Sequence, residues 1–202
     1  MKSFEGFKSE PMSDRMPQLP VGAYICAIQS VKEEGDYPDD SLVLRLEVVE
    51  GEWAGYYSKR FKRDSEMSVS SRSSYPVRYK GDFRIRAPRA ENPHIGNLEW
   101  AIRNFNNAIW AIEDSNEGYH FDFANVAALR GKYVGINVRE AQFQGNIFTE
   151  IGRLESVKMV REGKVKPMKV REERPSAYSA PTAASPSAPA GFFPVEVDEI
   201  PF

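Results

Sequence analysis

Between residues 56 and 63 the chain reads Tyr56-Tyr57-Ser58-Lys59-Arg60-Phe61-Lys62-Arg63, and the same mixture returns as Tyr75, Arg78, Tyr79, Lys80, Phe83, Arg84 and Arg86. Rings interleaved with cations suit one kind of chemistry. Aromatic faces stack on unpaired bases, while Lys and Arg neutralise phosphates. Read as a strand, Tyr57, Lys59, Phe61 and Arg63 would share one face, and Tyr56, Ser58, Arg60 and Lys62 the other. An ordinary amphipathic strand would carry the first stretch equally well; the repetition of the composition is what favours binding. Residues 56–90 hold ten bases (Lys59, Arg60, Lys62, Arg63, Arg72, Arg78, Lys80, Arg84, Arg86 and Arg89) against Asp64, Glu66 and Asp82, a net charge of +7.

A second constellation closes the chain. Asp198-Glu199-Ile200-Pro201-Phe202 joins two acids, a branched apolar side chain, a proline and a ring with its free carboxylate. Ile200 and the ring suit an apolar pocket, the carboxylates suit a basic rim, and Pro201 restricts the backbone before it. These five are the candidate partner-binding residues. The stretch leading to them places Pro175, Pro181, Pro186, Pro189 and Pro194 among Ala and Ser, a composition expected to stay disordered and act as a tether.

Other chemistry finds little support. His94 and His120 are isolated and Cys26 is the single cysteine, so neither a zinc set nor an intrachain disulfide is expected. Cys26 lies in an apolar run and reads as a packing residue. There is no Gly-rich phosphate loop or dinucleotide fingerprint. The acids of Glu33-Glu34-Gly35-Asp36 and Phe121-Asp122-Phe123 read as turn formers. The expectation is a non-enzyme with no catalytic residue, no metal and no cofactor.

The net charge of −2 hides a division. Residues 172–202 hold Glu172, Glu173, Glu196, Asp198 and Glu199 against Arg174, which leaves the remainder slightly basic. A basic body with an acidic tail suits a polyanion binder. No long apolar span and no secretory signal is read, so a cytoplasmic protein with no membrane partner is expected.

The elements that must position these residues follow from periodicity. Residues 1–18 form a flexible lead-in, 19–171 a folded domain and 172–202 the tail. Strands are expected over 23–31, 42–48 and 56–62. In the second, Leu42, Leu44, Leu46 and Val48 alternate with Val43, Arg45 and Glu47, the mark of a half-buried strand. Residues 64–96 read as a long basic insertion, with a short strand through 77–85. A helix is expected over 98–114, capped by Asn97, with Leu98, Ile102, Phe105, Ile109 and Ile112 as its core stripe and Trp100 and Trp110 flanking it. A weak helix or loop follows through 126–129. Two strands, 132–139 and 146–158, flank the turn Gln144-Gly145-Asn146. The trailing bases Lys158, Arg161, Lys164, Lys166, Lys169 and Arg171 suit either a phosphate track or a solvated edge. Three strands, a helix and two strands give a mainly β fold, with the element order of a five-stranded OB-like barrel whose helix lies between strands three and four.

The tip resembles the acidic C-terminal tip of bacterial-type single-stranded DNA-binding proteins, with Val197 interrupting the acidic run. The body resembles single-stranded DNA-binding proteins of phage replication and recombination modules. The resemblance rests on Leu19-Pro20-Val21-Gly22-Ala23-Tyr24, on the strand over 42–48 with Glu50-Gly51-Glu52-Trp53-Ala54-Gly55-Tyr56-Tyr57, on Ile112-Glu113-Asp114-Ser115-Asn116-Glu117-Gly118, and on Leu129-Arg130-Gly131-Lys132-Tyr133-Val134-Gly135 with the strand ending at Val157. Residues 64–96 depart from it in length and basicity. The resemblance implies a phage protein that coats single-stranded DNA without sequence preference in replication, recombination or repair, inside the host cytoplasm, and recruits replication and recombination proteins through its tip. A mediator that binds chiefly protein, and a metal-dependent nuclease, are the alternatives. A homo-oligomer is left open.

Overall fold

Apolar alternation lays down the first hairpin, β1 (Gly22–Glu34) and β2 (Ser41–Val48), antiparallel with Cys26 opposite Val48 and Glu34 opposite Ser41. The computed structural model describes residues 16–70 and 76–172. With β3 (Asp82–Arg86), β4 (Tyr133–Phe143) and β5 (Asn146–Glu155), the strands form one five-stranded antiparallel sheet in the order β3-β2-β1-β4-β5. The fold is therefore mainly β, with β3 and β5 as the sheet edges. Gln144 (φ 49°) and Gly145 (φ 75°) make the two-residue turn joining β4 to β5, the left-handed pair that matches strand twist.

Directly opposed residues share a face. Leu46 pairs with Ile28, Leu42 with Ile85, Cys26 with Val134, and Ile136 with Leu154, and all eight are buried. Onto them packs α2 (Leu98–Ser115) through Phe105, Ala108, Ala111 and Ile112. Asn97 caps α2 as expected, accepting from the Trp100 amide at 2.8 Å. At its other end the Asn116 side chain donates to the carbonyls of Ile112 and Tyr133 and accepts from the Tyr133 amide, tying the helix to the start of β4. The expected stripe is buried only in part: Leu98 and Ile102, in the first turns, are exposed with Trp100 and Trp110. Small Ala108 and Ala111 bring the second half of the helix close to the sheet instead. Cys26 is fully buried, and burial pushes its thiol pKa well up. The segment expected as a weak helix or loop is a 3-10 turn, Phe123–Leu129.

Three expectations are corrected. The third strand is not at 56–62; that stretch opens α1 (Tyr56–Ser70). Tyr56 and Tyr57 are both buried, and Arg60 returns to the Tyr56 hydroxyl four residues on at 2.9 Å, the spacing of one helical turn. The helix start is fixed by Glu47 of β2, whose buried carboxylate accepts from the amides of Tyr57 (2.9 Å) and Ser58 (2.7 Å). Negative charge belongs at a helix N-terminus, where amides lack partners. The same carboxylate accepts from the Tyr79 hydroxyl at 2.9 Å. Strand β2 is consequently buried on both faces except at Arg45, and is not half-buried.

The second correction follows from the first. The third strand is β3, which overlaps the end of the short strand expected over 77–85, so that part of the stretch read as an insertion belongs to the sheet. Gly81 precedes it where a side chain has no room: a Cβ there would lie 2.4 Å from the Leu46 carbonyl oxygen and 2.8 Å from the Tyr57 ring. Third, β5 ends at Glu155 and does not reach 158. Ser156 caps a short helix, α3 (Val157–Arg161), by accepting from the Lys158 amide. Lys158 and Arg161 lie in α3, and the later bases, Lys164, Lys166, Lys169 and Arg171, return as a strap. Arg171 donates its amide to the Glu140 carbonyl and accepts from the Gln142 amide, each at 2.9 Å, alongside the end of β4 that β1 does not reach.

The chain divides into Met1–Glu172 and Glu173–Phe202. Tyr75, residues 1–15 of the expected lead-in, and the tail over 173–202 with Asp198, Glu199, Ile200, Pro201 and Phe202 lie outside the described residues. Among the described residues no helix is long and apolar enough to cross a membrane.

Candidate nucleic-acid interface

The two sheet edges line a common cleft of about 420 Å³. Asp82, Phe83 and Arg84 of β3 contribute from one edge, and Phe148, Thr149, Glu150 and Ile151 of β5 from the other. Helix α1 supplies Tyr56, Tyr57 and Arg60, the turn before β3 supplies Lys80, β4 supplies Val138 and Arg139, and the strap supplies Arg171. Five cations thus stand against two carboxylates, Asp82 and Glu150.

The cations differ in what already holds them. Arg60 donates to the Tyr56 hydroxyl and lies 3.7 Å from Asp64. Arg84 donates to Ser41 at 2.6 Å and pairs with Glu34, whose carboxyl is held below its ordinary range by Lys32 and Arg84. Arg139 and Arg171 share one carboxylate, Glu150, at 2.9 and 3.3 Å. Asp82 is held in a bidentate pair with Arg45, at 2.9 and 3.1 Å. Lys80 has no ion-pair partner among the described residues. The Arg84 and Arg171 guanidiniums lie at the surface, where ion pairs contribute little, whereas Arg139 and Glu150 are both largely buried.

Of the residues expected from sequence, the fold gathers Tyr56, Tyr57, Arg60, Lys80, Phe83 and Arg84 around this cleft. Two of them change role. Tyr56 is 1 % exposed, with its hydroxyl donating to the Pro17 carbonyl and accepting from the Leu19 amide, and Tyr57 is 5 % exposed. Both rings are core and are closed to stacking, a correction that follows from the helix, whose first turn tucks them into the interior. Burial also raises the pKa of the Tyr57 phenol, Cys26 and Glu47 being among the groups that add to it. Tyr79 is buried too, with the Arg45 guanidinium 4.6 Å above its ring and Phe61 packed beside it at 5.7 Å. Lys59, Phe61, Lys62, Arg63, Arg78 and Arg86 lie elsewhere. Lys59 donates to the Ala54 carbonyl, and Arg86 stands 4.0 Å from Asp39.

Sequence reasoning missed Arg139, Phe148 and Thr149. Arg139 and Phe148 sit in the β4–β5 hairpin as a lone base and a lone ring, without the local clustering that marked 56–63. The signal available was topological: once β5 is an edge, its side chains border the opposite edge. Among the described residues no three His, Cys, Asp or Glu side chains gather as a metal site. Comparison with known protein families and with curated proteins found no match.

Proposed function

We propose that the chain is a non-catalytic protein that coats single-stranded DNA without sequence preference, serving phage-type replication, recombination or repair in a host cytoplasm. The cleft between β3 and β5 carries the reading. It combines Arg60, Lys80, Arg84, Arg139 and Arg171 with the partly exposed rings of Phe83 and Phe148, the pairing of phosphate and base contacts that a single strand needs. The strand order supports an OB-like barrel, left partly open between β3 and β5, with the cleft as its seam. A duplex keeps its bases stacked and offers these rings nothing to stack on. The lining holds no Asn or Gln to read adenine edges, in keeping with binding that tolerates sequence. In this reading the tip 198–202 recruits replication and recombination proteins.

A gel shift on labelled single-stranded oligonucleotides, with and without magnesium, tests it. A shifted, intact strand in both conditions is expected. The absence of any shift would leave a mediator that binds protein, and cleavage with magnesium would make the chain a nuclease.

A further inference from the structure

Outside the cleft, a second groove runs between the strap over 164–172 and the outer face of β4 and β5. Arg139, Arg153, Lys166, Lys169 and Arg171 line it, with Glu172 as its one carboxylate. Arg139 and Arg171 line the cleft as well, so the two depressions meet at the pair of guanidiniums that share Glu150. The strap is held in place by its backbone. The Asn137 side chain, itself buried, donates to the Lys166 carbonyl at 2.9 Å, and Arg171 is bonded on both sides to β4. At Gly152 of β5 a Cβ would stand 2.5 Å from the Met168 sulfur and 3.2 Å from the Arg139 Cδ, so its missing side chain lets strap and arginine close over β5. Lys166 and Lys169 have no ion-pair partner among the described residues. Unlike the cleft, the groove has no aromatic lining; its apolar contributors are Pro167, Met168 and Val170.

We infer that this groove holds the phosphate backbone of the single strand as it leaves the cleft, so that one domain carries a bipartite track. Bases stack in the cleft. Beyond Arg139 and Arg171 the strand is gripped by charge alone, with its bases turned outward. Glu150 marks the junction: it is the anion that two guanidiniums hold until a phosphate replaces it. The inference rests on the cleft being the single-strand site, and its test separates the two.

The protein and its variant K166Q/K169Q, whose substituted side chains are exposed and make none of the hydrogen bonds that hold the strap, are titrated with fluorescent oligothymidylates of about 5 and about 15 nucleotides, spanning the site sizes usual for one OB-like domain. The variant is expected to bind the long oligonucleotide about tenfold more weakly, with a salt slope shallower by about 1.4 at about 0.7 per lost phosphate contact, and to bind the short one as wild type does. Equal affinity for both lengths in variant and wild type, or an equal loss on both, overturns the second groove while leaving the cleft standing. Failure of the wild-type protein to bind either length overturns the cleft, and the groove with it.

Discussion

Tyr57 packs against Tyr56 and Tyr79, with ring centroids 5.3 and 6.2 Å away, and over the bare backbone of Gly81. Its chemistry suits stacking on a base, but its position spends the ring on the core. Phe148 is the contrasting case, a half-buried ring on the rim of the cleft. Truncating Tyr57 to Ala should therefore cost about 3–5 kcal/mol of folding stability, as large aromatic deletions from cores do, read by urea unfolding. Truncating Phe148 to Ala should instead weaken single-strand binding by about 1–3 kcal/mol, the worth of one base–ring stack, with a smaller effect on unfolding. The reverse pattern would return Tyr57 to the site. At this scale the sequence showed residue types but not their neighbours. The +7 of residues 56–90 overstates the charge left free for a polyanion, because Glu34, Asp39 and Asp40 arrive from another part of the chain to meet Arg84, Arg86 and Arg89.

Helix α1 is the element that local pattern could not reveal. Tyr57, Lys59, Phe61 and Arg63 satisfy a period of two, while Tyr56, Arg60 and Asp64 satisfy the helical spacing; the two periods overlap over residues 57–63. Its N-terminal partner, Glu47, lies nine residues upstream in a strand, so the start signal is tertiary. Helix α2 was legible because its cap, Asn97, is adjacent to it in sequence. Strands β1, β2, β4 and β5 were legible from alternation and from the Gln144-Gly145 turn. Strand β3 spans only Asp82–Arg86 among prolines and arginines and was blurred into a longer stretch. The dependence of α1 on Glu47 is itself testable. Replacing Glu47 by Ala removes a buried acceptor from two helix amides and from the Tyr79 hydroxyl. Hydrogen bonds to charged groups are worth about 1.5–3 kcal/mol each, so a loss of about 3 kcal/mol or more is expected in denaturant unfolding, with faster amide exchange in the first turn of α1. A stability unchanged from wild type would mean that α1 starts without this carboxylate.

At the scale of the whole molecule, one chain joins a basic body to an acidic tail. The division was legible in composition; the seam was not, because it depends on which strands become edges. If the tip is the recruiting element, deleting residues 194–202 should abolish capture of replication or recombination proteins and leave single-strand affinity equal or slightly higher, an acidic competitor having been removed. Pull-downs beside DNA titrations, full-length against truncated, check this; partner capture that survives the deletion would move recruitment to the body. The central claim is that the cleft between β3 and β5 binds single-stranded DNA chiefly through phosphate. The most direct measurement is the affinity of the full-length protein for an oligothymidylate across a salt series, beside a duplex of equal length and the exposed cleft variant Lys80→Glu. With four or five phosphate contacts at about 0.7 each, the log–log salt slope should be about −3, the duplex should bind far more weakly, and Lys80→Glu should bind weakly with a shallower slope. A salt-independent affinity, equal binding of duplex, or a Lys80→Glu variant indistinguishable from wild type would contradict it.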